Sequence, residues 1–318
     1  MKIALLYAES RYTPWKENVD TTTVVSLFKA LPKNVAGTII HMTEPNDDLA
    51  NLLSKFDFVI NICYGFKGRS QADIAEWLDS QGIKHLSSGG PEQQMAQDKL
   101  YVENALIRHG ISVPQSIQSP KEITPGLYIT KPRKGGCHRG IEITDATAAF
   151  EKFDLNCSED KLIQPYLIGR EFSVAIIPNE TGTGFETLPP LEVIPYPKRA
   201  IYMAGQSHGK TRKSYHPKLT EAEKQTIETT CLESHKALGL KFFSRVDIRL
   251  VNGVPFVLDV NTMPNMHPTK SMLPGLLKTH KLGLREFIRR LILSGEHQYN
   301  VEPRFEGTSM LTHEITYP

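Results

Sequence analysis

The stretch at residues 244–271 reads SRVDIRLVNGVPFVLDVNTMPNMHPTKS, and its alternation of side chains decides the fold that we predict. In the first half, an apolar row alternates with a charged row: Val246, Ile248 and Leu250 against Arg245, Asp247 and Arg249. The second half repeats the period of two with the apolar row Val254, Phe256, Leu258 and Val260. Such a period is typical of half-buried strands. We therefore predict a pair of antiparallel strands joined by a short turn.

The length of that turn decides on which face the acidic side chains lie. A two-residue loop of Asn252 and Gly253 would pair Asp247 with Leu258 and send Asp259 to the opposite face of the sheet. The two carboxylates would then be separated.

A three-residue loop at 251–253, closed by a glycine bulge, has the opposite effect. It places Asp247, Asp259 and Asn261 on one face, with Arg245 beside them. We predict this three-residue loop, because only its register leaves both apolar rows on a common side.

Two carboxylates and an amide on one face offer the oxygen ligands that Mg²⁺ prefers, usually together with the phosphates of a nucleotide. We therefore predict that Asp247, Asp259 and Asn261 bind metal. The alternative is an ordinary solvated hairpin face. The tail at 261–266 favours a site, because the strand runs there into a Pro-broken loop and leaves its polar groups at the strand's mouth.

Three motifs in this region resemble, in order and spacing, the C-terminal signature of the ATP-grasp ligases, and within them of the D-alanine–D-alanine ligases. The motifs are RVD at 245–247, DVNTMPN at 259–265 and SMLP at 271–274. The chain departs from the signature twice. Asp259 stands in place of the usual glutamate, and Asn265 in place of a glycine that helps to form an oxyanion site.

The resemblance implies an α/β fold, α+β in parts, with the ATP-grasp architecture. In that architecture an N-terminal parallel α/β domain is followed by two α+β domains that sandwich ATP. We expect the three domains at residues 1–95, 96–178 and 179–318. The resemblance also implies ATP and Mg²⁺ as cofactors, with two metal ions for which Mn²⁺ can substitute, and a homodimer.

The composition favours small-molecule chemistry. The 318 residues carry 37 basic and 35 acidic side chains, a formal charge of +2 that gives no reason to expect a nucleic-acid or membrane-surface partner. The four cysteines are scattered without a CxxC pair, so neither a zinc site nor a disulfide framework is indicated. The apolar run at the N-terminus is too short for a signal peptide, and no stretch has the length of a membrane span. We expect a cytoplasmic protein, and the resemblance implies amino-acid-type substrates.

The first 95 residues alternate between strand patterns, at 3–7, 37–41 and 58–63, and helix patterns, at 21–30, 47–54 and 71–81. Later in the chain, helices are predicted at 220–238, opened by a Thr220–Glu223 capping box, and at 284–293. The early alternation indicates a parallel α/β layer, whose ligands gather beyond the carboxyl ends of the strands. Glu9 follows the first strand, where an acid is by itself typical of a surface loop. The resemblance implies that Glu9 binds the ammonium group of the first amino acid, although the family's preceding Gly-Gly is absent.

Residues 131–141, KPRKGGCHRGI, form a basic glycine-rich loop between two predicted strands. Backbone amides of such a loop can cradle polyphosphate, although most basic glycine turns are solvated hairpins. The family's nucleotide contacts from the lysines of Lys-Pro and Asp-Lys imply these roles for Lys131 and Lys99. The loop residues expected to fold over ATP are Gly135, Gly136, Cys137 and His138. Serines usually stand at the last two positions and help to connect ATP to the substrate, so their replacement bears on amino-acid specificity.

Residues 162–174, LIQPYLIGREFSV, predict a strand, a turn and another strand, and resemble the hinge of the family. There, backbone groups read the adenine edge, which implies Gln164, Tyr166 and Leu167, and an acid binds the ribose hydroxyls, which implies Glu171. Glutamine takes the place of the usual acid at 164. The alternative for Glu171 is an acid that caps a turn.

Residues 180–217 are rich in Gly, Pro and basic side chains and have little periodicity, which is typical of a mobile loop over a site. Residues 204–211, AGQSHGKT, satisfy the loosest P-loop pattern, but the following residues cannot readily open a helix, so we reject that interpretation. The resemblance implies instead that Lys210 or Lys213 reaches the transferred phosphate.

We therefore predict an ATP-dependent carboxylate–amine ligase, in which ATP phosphorylates a carboxylate and an amine then attacks the acyl phosphate to form an amide. Arg245 and a lid lysine would stabilise the charge that develops. The resemblance implies substrate contacts from Asn265, Ser271 and Met272. The alternatives are a D-alanine–D-alanine ligase proper in cell-wall synthesis, an ATP-binding regulatory protein with reduced catalysis, and a kinase that releases a phosphorylated product.

Overall fold

The computed structural model describes residues 1–8, 21–135, 140–156, 161–195 and 211–301. The strands within these ranges are β1 (Lys2–Tyr7), β2 (Ala36–His41), β3 (Phe58–Asn61), β4 (Gly65–Phe66), β5 (Arg69–Ser70), β6 (Leu127–Pro132), β7 (Glu142–Asp145), β8 (Lys161–Pro165), β9 (Arg170–Pro178), β10 (Phe185–Thr187), β11 (Leu191–Pro195), β12 (Thr211–Ser214), β13 (Ser244–Val251) and β14 (Val254–Asn261). The helices are α1 (Thr21–Lys29), α2 (Asp47–Leu53), α3 (Gln71–Ser80), α4 (Gly90–Gln97), α5 (Lys99–Arg108), α6 (Ala146–Asn156), α7 (Glu221–Ala237), α8 (Met272–Thr279) and α9 (Leu284–Gln298). None of these helices has both the length and the apolar character needed to cross a membrane.

The N-terminal strands form the parallel layer that their apolar pattern predicts, in the order β2-β1-β3. Successive residues of β1 are buried on both faces, Ile3 and Leu5 in one apolar cluster and Ala4 and Leu6 in another. Burial on both sides is typical of parallel sheets. Strand β3 ends at Asn61, earlier than predicted, where the Asn61 side chain accepts a hydrogen bond from the Cys63 backbone N–H at 3.0 Å.

Two further sheets carry the rest of the chain. A small antiparallel sheet has the order β7-β6-β8 and packs against α6. A larger sheet has the order β12-β11-β9-β13-β14, with β10 also paired to β9. Strand β9 falls in the second of the three predicted domains but pairs with strands of the third. The domain boundaries themselves stay a prediction.

The two faces of the larger sheet have different surroundings. Phe172 and Val174 of β9 and Val246 of β13 point into one apolar cluster, which also holds Ile227 of α7. The opposite face divides into two parts. Ala175 and other residues of that face join the apolar cluster shared with the N-terminal sheet and α9. The remainder of that face carries the polar residues described below.

The hairpin of β13 and β14 forms, but its predicted three-residue loop is wrong. Val251 pairs with Val254, so the turn has two residues, Asn252 and Gly253, with φ of 49° and 81°. Positive φ at both positions is the conformation that Asn-Gly favours in two-residue hairpin turns. A β-bulge farther along the strands, not the turn, then sets the final register.

The bulge lies between the pairs Ile248–Val257 and Asp247–Asp259, so that Leu258 is the extra residue. Its insertion brings Asp259 opposite Asp247, and both acids share a face as predicted, although by a different route.

The predicted apolar row of the second strand is wrong for the same reason. Before the bulge the buried residues are Pro255 and Val257, and after it Val260 is buried. Val254 is 44% exposed, and Phe256 is only partly buried. A bulge shifts the alternation by one residue, and a sequence pattern of period two does not reveal where that shift occurs.

Both predicted C-terminal helices form. Helix α7 begins with the predicted capping box, in which the Thr220 hydroxyl and the Glu223 carboxylate each bind the other's backbone N–H. Helix α9 continues to Gln298, beyond the predicted end at residue 293. Gly295 lies in the added part of the helix, where a Cβ would lie 2.5 Å from Leu86 Cδ2, so the helix packs closely there against the N-terminal core.

We expect Gly253→Ala to lower the free energy of unfolding by about 1 kcal/mol, because alanine strains in the left-handed conformation of that residue. A Cβ there would meet no atom within 4 Å, so the loss is conformational and not steric. Denaturant titration measures it. Asn252→Asp is the matched control with a change close to zero, because Asp-Gly supports the same turn. A Gly253→Ala protein as stable as the wild type would contradict the turn assignment.

Candidate active site

Three neighbouring strands bring oxygen ligands to one level of the larger sheet. Asp247 of β13 pairs with Ser173 of β9 on one side and with Asp259 of β14 on the other. Directly opposite residues of antiparallel strands point to the same face. The Ser173 hydroxyl donates a hydrogen bond of 2.6 Å to Asp247 Oδ1, which fixes that carboxylate.

Asn261 completes the predicted metal set. Its Nδ2 lies 3.4 Å from Asp247 Oδ2 and 3.3 Å from Asp259 Oδ2, so the three side chains converge. Nowhere in the described ranges do three or more His, Cys, Asp or Glu side chains gather as a metal site, and the third ligand here is an amide. An all-oxygen set fits Mg²⁺, provided that the Asn261 amide turns its oxygen toward the ion.

Arg245 lies at the next level of the same face, opposite Asn261. Its guanidinium binds the Asp247 carboxylate through two hydrogen bonds, of 3.0 and 2.8 Å. Lys213 of β12 approaches the same region, where its Nζ donates to the Lys270 carbonyl at 3.2 Å. Burial, and then the nearby Arg245 charge, lower the pKa of Lys213. The structure thus brings together the arginine and one of the two lid lysines that were predicted.

Lys131 is 8% exposed and faces this group from the smaller sheet. Burial lowers its pKa to about 8, against the opposing effect of the Asp259 carboxylate. Lys131 and Asp259 line one small cavity together with Lys99 and Gln164. Both predicted phosphate-binding lysines therefore open onto the space beside a predicted metal ligand.

Lys99 also holds the base of the glycine-rich loop. Its Nζ donates to the Gly135 carbonyl at 2.6 Å, and its backbone N–H donates to the Arg133 carbonyl at 3.0 Å. The Asp98 carboxylate binds the Arg133 guanidinium through hydrogen bonds of 2.7–3.0 Å, and the Arg133 side chain lowers the pKa of Asp98 against the opposing effect of its burial. Sequence reasoning gave Asp98 no role. Its contacts anchor the loop that the resemblance assigns to ATP.

Gln164 is held by a buried polar network. Its Nε2 donates to Glu103 Oε2 at 2.8 Å and to the Pro114 carbonyl at 2.7 Å. Glu103 accepts two more hydrogen bonds, each of 2.6 Å, from the backbone N–H and the hydroxyl of Ser116. Gln164 stands where the family usually has an acid. An acid at this position would place a second carboxylate against Glu103.

The remaining hinge residues meet an arginine that sequence reasoning left without a role. Arg249 of β13 contacts the Glu171 carboxylate, donates to the Leu167 carbonyl at 2.9 Å and lies 5.2 Å from the centroid of the Tyr166 ring. The available signal was the position of Arg249 in the same charged row as Asp247.

The loop after β14 carries the predicted substrate residues. Asn265 Oδ1 accepts hydrogen bonds from the His267 backbone N–H at 2.8 Å and from the Ser271 hydroxyl at 2.6 Å. The backbone donor identifies the amide oxygen, so the Asn265 NH₂ group points away from these partners. Met272 is partly buried against the apolar core at the start of α8.

Residues of the N-terminal half hold this loop in place. The Gln71 side chain donates to the Thr262 hydroxyl at 3.0 Å, and the Tyr64 hydroxyl donates to the Pro264 carbonyl at 3.3 Å. Sequence reasoning missed both contacts, which join residues about two hundred positions apart.

Several predicted site residues lie outside the described ranges: Glu9, Gly136, Cys137, His138 and Lys210. Most of the rejected P-loop pattern at 204–211 lies there too. The roles of these residues stay predictions.

The sequence is similar to known ligases. Residues 123–293, more than half of the chain, match the family model described as D-ala D-ala ligase C-terminus. The D-alanine–D-alanine ligase of Thermotoga petrophila is 30% identical over 249 residues, which cover 76% of this chain and 80% of the relative. The D-alanine–D-alanine ligase of Halalkalibacterium halodurans is 26% identical over 313 residues, which cover 92% and 98%.

Solved structures of the same class share the fold. The D-alanine–D-alanine ligase from Bacillus anthracis complexed with ATP superposes with a TM-score of 0.73 at 20% identity, over 95% of this chain and 100% of that chain. The VanG D-Ala:D-Ser ligase from Enterococcus faecalis superposes with a TM-score of 0.71 at 16% identity, over 92% and 99%.

These matches and the α/β architecture define an ATP-grasp enzyme, an ATP-dependent ligase that forms a C–N bond. The predicted fold class is thereby confirmed. Within that class, the chain belongs to the D-alanine–D-alanine ligase family.

We expect Gln164→Glu to lower the free energy of unfolding by about 2 kcal/mol at pH 7. The new carboxylate would face the Glu103 carboxylate in a buried position, where solvent screens the repulsion little. The loss should shrink in acid, where a proton on either carboxylate removes the repulsion. Thermal unfolding between pH 4 and 8 measures both effects.

The matched control is Gln94→Glu. Gln94 Nε2 donates to an Asp73 carboxylate at the same distance of 2.8 Å, but on the surface, where solvent screens the charges. A buried variant as stable as this exposed one would contradict the polar network.

Proposed function

We propose that this ligase binds ATP in the cleft between its two C-terminal sheets and carries out amide formation on the polar face of the larger sheet. One observation supports the proposal above the others. Asp247 and Asp259 stand opposite each other on one face, and the buried Lys131 lines a cavity with Asp259. Two acids and a lysine so arranged suit a polyphosphate with its cation.

In this proposal Asp247, Asp259 and Asn261 hold Mg²⁺, and Lys99 and Lys131 contact the phosphates. A bound Mg²⁺ would neutralise phosphate charge and orient the reacting group. Two ions fit the family resemblance better than one. The bidentate contact of Arg245 with Asp247 holds that carboxylate in one orientation.

The bonds that form and break in the proposed reaction are all in ATP and the two amino acids. A carboxylate oxygen of the first amino acid attacks the γ-phosphorus of ATP, ADP leaves, and an acyl phosphate forms. The amino group of the second amino acid then attacks the acyl carbon, loses a proton and expels phosphate, which leaves an amide. Arg245 and Lys213 supply positive charge where negative charge develops on the phosphoryl group and on the tetrahedral intermediate. The lid residues around Lys210 exclude the water that would hydrolyse the acyl phosphate.

We propose an amino-acid pair other than two D-alanines. Ser271 donates its hydroxyl proton to Asn265, which stands where the family signature has glycine. That hydroxyl is therefore engaged, whereas the Asn265 NH₂ group points away from both of these partners. The departures at Cys137 and His138 support the same conclusion.

D-alanyl-D-alanine is the second candidate product, and the names of the curated relatives favour it. The VanG structure, titled a D-Ala:D-Ser ligase, shares the fold and illustrates that the second amino acid differs among such enzymes. We further propose that Glu9 binds the ammonium group of the first amino acid, that Met272 contacts the second, and that the protein is a cytoplasmic homodimer with domain limits near residues 95 and 178.

A pyruvate-kinase-coupled assay of ADP release across pairs of D- and L-amino acids, with mass spectrometry of the products, tests the function. We expect ADP release that depends on an amine acceptor, and a product mass equal to the two amino acids minus water. ADP release with a phosphorylated product and no need for an amine would identify a kinase. If no pair of amino acids produced ADP release, the proposed substrates would be wrong.

We expect Asp247→Ala and Asp259→Ala to reduce nucleotide turnover at least a thousandfold while the thermal unfolding temperature changes little, because each removes one oxygen ligand from the cation. Initial rates at saturating ATP measure the loss. Asp48→Ala, an exposed acid in the first turn of α2, is the control and should keep wild-type rates. Undiminished ADP release by both acid variants would remove the metal assignment.

A further inference from the structure

Arg249 is a buried cation that the proposed chemistry does not use. It lies two residues from Asp247 on β13, about 7 Å farther along the strand on the same face. Its backbone pairs with Glu171 on β9, just as Asp247 pairs with Ser173. The polar face therefore has two adjacent levels, one with the proposed metal ligands and one with Arg249 and the proposed ribose acid.

The Arg249 guanidinium contacts three residues of the hinge at this level. Nη2 contacts the Glu171 carboxylate, Nη1 donates to the Leu167 carbonyl at 2.9 Å, and the ring of Tyr166 lies under the guanidinium at 5.2 Å. The Arg249 side chain is only 8% exposed. A lysine at this position would offer a single ammonium and could not match this planar, three-sided arrangement.

The turn residues after Leu167 lie between solvent and β13. Ile168, the next residue, is 78% exposed. Gly169 crosses close over β13, where a Cβ would lie 2.3 Å from the Leu250 carbonyl oxygen. Arg249 thus fastens the turn between β8 and β9 to the strand that carries Asp247, at a point where the backbones already touch.

The contact also gives the proposed ribose acid a counter-charge. The Glu171 side chain is 15% exposed, and the Arg249 guanidinium beside it forms an ion pair with its carboxylate. An ion pair adds no net negative charge beside a polyphosphate, and the carboxylate oxygens are acceptors for hydroxyl groups.

Arg249 Nε is buried and finds no acceptor among the residues that the structure describes. A buried donor left unpaired costs free energy. Such an unpaired group calls for an explanation. Here the two terminal nitrogens bind Glu171 and Leu167, and the orientation that these two contacts require leaves Nε without an acceptor in the described part of the chain.

We propose that Arg249 is the positioning residue of the nucleotide site. It holds the Leu167 carbonyl and the Glu171 carboxylate in a fixed relation to Asp247, so that the ribose is bound at the correct distance from the phosphates. The proposal rests on the proposed function, in which Glu171 binds the ribose hydroxyls and the hinge reads adenine.

The test compares ATP with 2′-deoxyATP in wild-type protein, Arg249→Met and Arg249→Lys. Methionine preserves length and packing but removes the charge and every donor. We expect Arg249→Met to raise KM for ATP at least tenfold, to leave kcat at saturating ATP within about threefold, and to remove most of the preference for ATP over 2′-deoxyATP. Arg249→Lys should be intermediate, because it restores the charge without the paired donors.

Arg170→Met is the matched control. Arg170 lies on β9 in the same sheet, binds Glu192 through two hydrogen bonds of 2.8 and 3.0 Å, and stacks over Phe172 at 5.0 Å. It is therefore an arginine with the same kinds of contact, directed at Glu192 and Phe172. We expect its loss to lower stability and to leave the nucleotide preference unchanged.

The double variant Arg249→Met/Glu171→Gln examines how the arginine acts. If it acts through Glu171, the double variant discriminates between the two nucleotides no worse than Glu171→Gln alone. Calorimetric titration of ATP and 2′-deoxyATP without amino acids gives the same comparison, so it is independent of ligase turnover. A wild-type protein that binds ATP but forms no amide would overturn the proposed function alone. An Arg249→Met protein that keeps the wild-type nucleotide preference, with only a lower unfolding temperature, would overturn the positioning role.

Discussion

Asp247 and Asp259 stand opposite each other on two antiparallel strands, and the proposed chemistry depends on that pairing. Side chains on neighbouring strands share a face only when the register is correct, and an error of one residue would separate the two carboxylates by the thickness of the sheet. The bulge at Leu258 produces the required register in a hairpin whose two-residue turn would otherwise oppose it. A small irregularity in the ladder thus determines whether the sheet can hold a cation.

Each acid of this pair has a positively charged side chain near it. Asp247 is bound by Arg245 and Ser173, while the charge of Asp259 acts on the buried Lys131 across the cavity. Burial works against the charged form of Lys131, and the neighbouring carboxylate favours it. Anionic phosphates entering the cavity would add to the effect of that carboxylate. The site is therefore prepared for a ligand that carries its own negative charge and its own cation.

Much of the fold could be predicted from the sequence, because apolar periodicity and capping residues are local signals. The parallel N-terminal layer, the capping box of α7 and the hairpin are examples. The motifs in residues 245–274 were sufficient for the family, since their order and spacing are specific. The predicted turn was wrong, because residues 251–253 are compatible with two loop lengths. The bulge at Leu258, which sets the register of the acids, has no mark in the sequence.

Contacts between residues far apart in the sequence could not be predicted either. The network of Gln164 and Glu103 joins residues sixty-one positions apart, and that of Arg249 and Glu171 joins residues seventy-eight apart. A charged residue in a strand pattern shows which face it occupies but not which neighbour it meets. Only the three-dimensional arrangement of the sheets shows which residues Glu103 and Arg249 contact.

The packing of α9 has a consequence for how the protein is made. Phe287, Ile288 and Leu291 of this helix lie in the same apolar cluster as Ile3, Leu5 and Phe58 of the first sheet. Val24 and Leu27 of α1 belong to the same cluster, so α1 covers part of this side of the sheet early in synthesis. The part that α9 fills stays open until nearly the whole chain has left the ribosome. The nascent protein therefore passes through a stage in which its oldest sheet is only partly covered on this side.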